Sequence, residues 1–313
     1  MRTRSVILAT AALLLLSGCS LHHGPVPPEP ARGPALDSLF QIDQSRSDSL
    51  LARGPVDGML ALLGEDVVYL RAGVPAVYGR EGARTLLAAG ASTAALSLAW
   101  QPIGGGVSDD LRAAYTYGVV ARLSQMKSPI HFERYIAYWE RSGADPWRIA
   151  AYSEVGSPPA VEVNLSTEQI TPPARKPPKP LTEATDKVRA ADSSFSDLAY
   201  RMGTGFAFSN TAADNGVVFG APQLVVGPDA IRAFFAAQGT SSSLTWRPVY
   251  AAVADSRDLG FTIGESISTG RGPSGAAVQR IGKYLTVWKL QRDGTWKFVV
   301  DGGSPTPPRE SQR

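Results

Sequence analysis

The chain of 313 residues carries the same ending twice. Residues 134–154 read RYIAYWERSGADPWRIAAYSE, and residues 283–303 read KYLTVWKLQRDGTWKFVVDGG. Each has a tyrosine, three residues, a tryptophan, seven residues and a second tryptophan, with a turn between the two tryptophans. Tyr135 and Tyr284 stand 149 positions apart (284 − 135), as do Trp147 and Trp296 (296 − 147). Further upstream, LAWQPIGGGVSDDLRAAYTYG from Leu98 aligns without gaps on LTWRPVYAAVADSRDLGFTIG from Leu244. That alignment pairs Trp100 with Trp246, Pro102 with Pro248 and Gly118 with Gly264, at an offset of 146 (246 − 100). AVYGREGARTLL likewise matches LVVGPDAIRAFF. A period near 150 is a tandem domain duplication, because solenoid repeats are far shorter. Whatever the fold is, it must be one the chain builds twice. Apolar residues make up 43% and charged residues 19%, enough material for two cores.

Composition shifts mark the boundaries. Residues 1–19 have a basic start, a short apolar run and small residues, the pattern of a secretory signal and too short for a stable membrane span. The segment ends in Leu16-Ser17-Gly18-Cys19, which resembles the lipobox of bacterial lipoproteins. That resemblance implies that Cys19 is lipidated and begins the mature chain. It also implies attachment in the bacterial cell envelope, and the absence of Asp after the cysteine points to the periplasmic face of the outer membrane. Cys19 is the only cysteine, so no intramolecular disulfide can form even in an oxidising compartment. Residues 20–34 read as a Pro-rich tether and 157–180 as a Pro-rich, extended linker. Residues 304–313 read as a disordered tail. Two domains remain, 35–156 and 181–303.

The elements of the second copy follow from periodicity. Val188, Ala191, Phe195, Leu198 and Met202 recur at helical spacing, which predicts an amphipathic helix. A short helix follows near TGFAFSNTAA. Two short strands lead to GPDAIRAFFAAQG, a helix with proline in its first turn. Four long β-rich runs close the domain, the last two joined by a turn at Arg292-Asp293-Gly294. Helices first and strands last predict an α+β domain with helices on one face of a curved, mostly antiparallel sheet.

This order of elements, with Asp192 and Phe195 in the first helix, AADNGVVFG, Gly227 and the Trp288–Trp296 hairpin, resembles the NTF2-like superfamily and its SnoaL-like, ketosteroid-isomerase-like and DUF4440 branches. The first copy carries the resemblance through Gly79, Trp100, Tyr135, Trp139 and Trp147. The resemblance implies two tandem cone-shaped domains. It also implies a tendency to pair sheet to sheet, within one chain as a pseudo-dimer or between chains; two independent beads on the linker are the alternative. A fold of this kind hosts both enzymes and binding modules, so function has to come from the site.

Isomerases of this group use a pocket tyrosine and carboxyl groups, which directs attention to a few residues. Asp192 lies on the apolar stripe of its helix, and Asp43 repeats that placement. A carboxylate there needs partners or a task, and its recurrence in both copies favours a structural role over a pocket acid. Glu265 and Tyr284 form the candidate acid and donor pair in the second cone, with Asp192 the other acid. Tyr284, Trp288 and Trp246 are the candidate ligand contacts. The first copy has Val119 at the position of Glu265, so the second cone is the better candidate.

Other chemistries find no support. The three histidines, His22, His23 and His131, lack metal-ligand spacing, and no metal or cofactor is expected. Gly270-Arg271-Gly272-Pro273-Ser274-Gly275 formally matches a dinucleotide fingerprint, but it joins two strands and opens no helix. The formal charge is +3; without Arg2 and Arg4 of the leader, 29 basic residues face 28 acidic ones, which excludes a nucleic-acid surface. The expected partner is a small apolar ligand or an envelope protein, bound without catalysis. The alternative is an isomerase, dehydratase or cyclase acting on a small apolar substrate in the second cone.

Overall fold

In the computed structural model, residues 33–91, 97–123, 131–156, 183–219, 224–238, 243–271 and 277–306 are described. The lipobox cysteine, most of the tether, the interdomain linker and the end of the tail lie outside them. Domain 1 runs α1 (Pro34–Gln44), α2 (Arg46–Arg53), α3 (Pro55–Leu60), β1 (Leu63–Leu70), β2 (Val77–Tyr78), α4 (Arg80–Ala91), β3 (Ser97–Val107), β4 (Ala113–Leu123), β5 (His131–Glu140) and β6 (Arg148–Val155). Domain 2 runs α5 (Glu183–Met202), α6 (Thr204–Thr211), β7 (Ala212–Phe219), β8 (Leu224–Val226), α7 (Pro228–Ala237), β9 (Ser243–Val253), β10 (Leu259–Arg271), β11 (Ala277–Leu290) and β12 (Trp296–Pro305). Strand β12 takes in Ser304 and Pro305, which the sequence assigned to the tail.

Each domain builds one six-stranded sheet, ordered β2-β1-β6-β5-β4-β3 and β8-β7-β12-β11-β10-β9. All neighbours are antiparallel except β1 with β6 and β7 with β12. This is an α+β arrangement of two tandem domains, each a curved mixed sheet with helices on one face. The duplication extends to irregularities: the first long strand of each domain shifts register beside its proline, between Pro102 and Gly104 in one and between Tyr250 and Pro248 in the other. Such bulges bend the strand and curl the sheet toward its helices.

The long helix α5 buries Val188, Asp192, Phe195, Ser196 and Ala199, a stripe at helical spacing that lies on the concave face of the sheet. Phe195 packs 4.5 Å from Trp246 and 4.7 Å from Phe208, ring centroid to centroid. Ser196 fixes the helix to β9: its hydroxyl donates to the Trp246 carbonyl at 2.6 Å and accepts from the Trp246 amide at 3.0 Å. Domain 1 keeps the second of these bonds, from the Trp100 amide to the Ser47 hydroxyl at 2.9 Å.

The convex faces of the two sheets meet. Tyr115, Ile136 and Tyr138 of domain 1 share one buried apolar cluster with Phe261, Leu285 and Val287 of domain 2. Tyr138 packs with its ring tilted 4.6 Å from Phe261 and donates to the Leu259 carbonyl at 3.3 Å. At one edge Lys289 bridges the domains, bonding Asp258 in its own domain and Asp109 across the junction at 3.2 Å. Burial pushes the Asp258 carboxyl up, but hydrogen bonds from Lys289 and Ser256 outweigh it and hold the group below its usual range. A Cβ on Gly302 would sit 2.8 Å from Val155 Cγ2 and 3.0 Å from Ile136 Cδ1, so at this point of the junction a side chain would crowd the other domain.

Candidate functional site

Strand alternation places Tyr284, Thr286 and Trp288 of β11 on the concave face of domain 2. Opposite them, α5 presents Asp192. The Asp192 carboxylate has no exposed surface and is fully engaged: Trp246 Nε1 donates to Oδ1 at 2.7 Å, the Tyr284 hydroxyl donates to Oδ2 at 2.9 Å, and the Thr262 hydroxyl is a third donor. Thr262 in turn accepts from Trp288 Nε1 at 2.9 Å. Burial raises the pKa of Asp192, and the three donors work against that rise. Burial, followed by the Asp192 charge, pushes the Tyr284 hydroxyl far above its ordinary value. Gly264 makes the tyrosine's position possible, since a Cβ there would lie 2.3 Å from the Tyr284 oxygen. The three donors and the acid form a closed hydrogen-bonded network.

Beside this network lies a cavity of about 360 Å³, at the low end of the range for ligand sites, about 300–1,000 Å³. Phe208, Leu244, Trp246, Tyr284, Asp301 and Arg280 contribute to its wall. Asp301 is its acid. The Thr286 hydroxyl donates to the Asp301 carboxyl. Burial raises that carboxyl to about 7; the Thr286 bond opposes the rise and the nearby Asp192 charge adds to it. The group therefore changes protonation near neutrality, which makes it able to donate or accept at a ligand.

The candidates named from the sequence fare differently. Tyr284 and Trp246 line the cavity. Trp288 is fully buried in the core behind it, 6.2 Å from the Phe195 ring. Glu265 does not meet Tyr284. It sits in register with Lys283, on the convex face, where its side chain is 40% exposed and pairs with Arg247 at 3.1 Å. The pairing of Glu265 with Tyr284 thus fails because the two residues belong to opposite strand faces.

Asp301 escaped the sequence reading for a related reason. In TWKFVVDGG, strict alternation sets Trp296, Phe298 and Val300 on one face and Asp301 on the other. The ladder slips between Val287 and Trp288, opposite Phe298 and Val300. Phe298 packs in the concave core, whereas Val299 and Val300 both join the cluster between the domains. The slip returns Asp301 to the cavity side.

Domain 1 repeats the frame with a different filling. Asp43 accepts from the Tyr135 hydroxyl at 2.6 Å, and Trp139 Nε1 donates to Thr116 at 2.9 Å. At the position of Phe195, however, stands Arg46. Its guanidinium has no exposed surface, pairs with Asp43 at 2.5 Å, and lies 5.2–5.5 Å from the ring centres of Trp100, Tyr135, Trp139 and Tyr152. Burial pulls the Arg46 pKa down, but Asp43 and the surrounding tyrosines leave it above the ordinary value. Tyr152 takes the place of Asp301. The sequence signal for Arg46 was available: a base three residues after an acid on the same buried stripe.

Among the described residues, no group of histidine, cysteine, aspartate and glutamate side chains could hold a metal ion. No described helix is long and apolar enough to cross a membrane.

The frame and cavity define a tandem pair of α+β domains, with a cavity on the concave face of the second. Solved structures with which single domains of this chain align include a ketosteroid isomerase-like protein from Erwinia carotovora atroseptica, at 18% identity, 40% of this chain, 97% of that chain and a TM-score of 0.35. They also include an NTF2-like protein with a cystatin-like fold from Novosphingobium aromaticivorans, at 18% identity, 39% of this chain, 82% of that chain and a TM-score of 0.32. A cystatin-like-fold protein from Caulobacter vibrioides aligns at 17% identity, 41% of this chain, 92% of that chain and a TM-score of 0.33. The sequence matches no protein-family model and no curated protein.

Proposed function

We propose that the chain is an envelope lipoprotein whose second domain binds a small, largely apolar ligand without chemical turnover. The observation that carries the binding reading is the cavity itself, walled by Phe208, Leu244 and Trp246, with the single carboxyl of Asp301 not locked into the structural network. Asp192 and Tyr284 are committed to each other, which removes the second group that acid–base catalysis would recruit. Titration calorimetry with 2-naphthamide, a flat neutral bicycle, tests the reading. The parent chain should bind it, and Ser266→Phe, which fills the cavity, should not. Equal binding by both proteins, or binding of neither this probe nor its carboxylate counterpart 2-naphthoate by the parent, refutes the site.

One observation favours the enzymatic alternative: a carboxyl raised to about 7 suits general acid–base work at neutral pH. On that reading Asp301 abstracts and returns a proton next to a substrate carbonyl. Exchange of the α-protons of 2-tetralone in deuterium oxide, followed by NMR, decides the matter. Exchange that accelerates with the parent and not with Asp301→Asn identifies an enzyme; equal rates leave a binding protein.

The envelope location rests on the lipobox ending at Cys19. Intact-mass measurement of membrane-extracted protein should show an acylated cysteine at the mature N-terminus, and an unmodified product starting elsewhere refutes it. The two domains remain paired through their sheets in solution, because separation would expose the apolar cluster that contains Tyr138 and Phe261. Small-angle scattering should therefore report one compact particle; two separated lobes overturn the pairing.

A further inference from the structure

The cavity is chemically lopsided. Along β11 its wall runs from Tyr284 through Gly282 to Arg280, four residues and roughly 13 Å of strand. The Asp192 network and Asp301 lie at the Tyr284 end, since Asp301 is in register with Thr286. Arg280 marks the other end. It is exposed, and among the described residues its side chain has no carboxylate partner. The contrast with Arg247 is informative. That arginine lies across the same sheet on the convex face and has its carboxylate in Glu265. Next to Arg280, in register on β10, is Ser268, and Ser266 follows two residues along. Both serines line the cavity. Their hydroxyls have no partner among the described residues. One cation and two hydroxyls thus gather at one end, and aromatic and aliphatic side chains line the span between that end and Asp301.

We propose that the domain 2 cavity selects a small monocarboxylic acid with a flat apolar body, its carboxylate held by Arg280 with Ser266 and Ser268, and its body against Phe208, Leu244 and Trp246. An arginine fork matches the two carboxylate oxygens, and flanking hydroxyls supply the remaining donors. The distance between the two ends keeps the ligand's carboxylate away from Asp301, so the two acids do not compete for one place. Arginine and Asp301 are the charged groups of the wall, and a ligand with a single negative end meets the arginine without an opposing carboxylate beside it.

This inference rests on the ligand-binding reading above, and its test separates the two. Calorimetry on the full chain compares 2-naphthoate with its neutral isostere 2-naphthamide, in the parent and in Arg280→Gln. The expected result is at least tenfold tighter binding of the naphthoate by the parent. In Arg280→Gln that advantage should vanish while naphthamide binds as before. Equal affinity for the two probes in the parent, or an unchanged preference in Arg280→Gln, overturns the acid selectivity and leaves the binding reading standing. Failure of both probes to bind the parent overturns both.

Discussion

The two domains share a frame and differ in what fills it. Each has a helix aspartate that accepts from a strand tyrosine, Asp43 from Tyr135 and Asp192 from Tyr284. Each has a buried tryptophan that donates to a threonine on the next strand. In domain 2 two further donors, Trp246 and Thr262, complete the carboxylate's shell, and Phe195 packs as an apolar wedge beside it. In domain 1 the Arg46 guanidinium supplies the counter-charge and fills the space among four aromatic rings. The comparison teaches that a buried carboxylate in this frame needs partners, and that there are two ways to provide them: a ring of neutral donors in domain 2 and a buried cation in domain 1.

Exchanging the fillings breaks the comparison most severely. Arg46→Ala strands the Asp43 charge and empties the aromatic cage, at a cost of about 3–5 kcal/mol to domain 1. Millimolar guanidinium should restore part of the loss in the melting temperature; a variant as stable as the parent shows that Asp43 does not depend on the cation. Phe195→Arg should fail in the same range, because the lone pairs of Asp192 are already taken. Thermal unfolding of both variants reads the two outcomes.

Removing the acid from the open cone comes next. Asp192→Ala leaves the Trp246, Tyr284 and Thr262 donors unpaired, costing about 1–3 kcal/mol. The unfolding midpoint of domain 2 should fall accordingly. An unchanged midpoint would return Asp192 to the cavity chemistry.

An effect with pH as its signature is expected at Asp301. Its folded pKa of about 7 lies above the value near 3.9 of an unfolded aspartate. Stability from the neutral carboxyl is therefore fully present below about pH 4 and is lost as pH rises through 7. The Asp192 charge adds to the rise in this carboxyl's pKa, and the Thr286 hydrogen bond opposes it. Asp301→Asn removes the titration. Its stability relative to the parent should climb between about pH 4 and 7 and level off above. A difference that does not vary with pH refutes the raised pKa.

The least effect belongs to Glu265. Glu265→Gln weakens one exposed ion pair with Arg247, and the change in stability should stay within about 0.5 kcal/mol. Binding of 2-naphthamide should not move. A loss of binding would put Glu265 back in the pocket.

Much of this was legible before the structure. The duplicated endings defined two domains, and the helical stripe through Val188, Asp192 and Phe195 gave both the helix and the need of its acid for partners. Period-two reading of β11 put Tyr284 and Trp288 on one face, and both lie on the concave side. Alternation alone does not say which face of a strand is concave, and that ambiguity let Glu265 stand as the partner of Tyr284. Asp301 was hidden by a single slipped residue between Phe298 and Val300, which no propensity of Val299 announces. Arg46 had its signal, a base on the acid's own stripe, but not its surroundings. A charged side chain reads as solvated until its surroundings are known, and its four aromatic neighbours come from strands 54 to 106 positions further on (100 − 46 and 152 − 46).

The shared face between the sheets has a consequence for how such a molecule can change. In a two-fold homodimer every substitution appears in both halves at once, so a cone that is filled in one subunit is filled in the other. Here the partner is part of the same polypeptide, and the junction is held by unlike residues: Lys289 on one side reaches Asp109 on the other, and Gly302 admits Val155 and Ile136. Joining the halves releases them from symmetry. Each copy is free to change its interior, as Arg46 and Phe195 at matched positions show, and neither change is imposed on its twin.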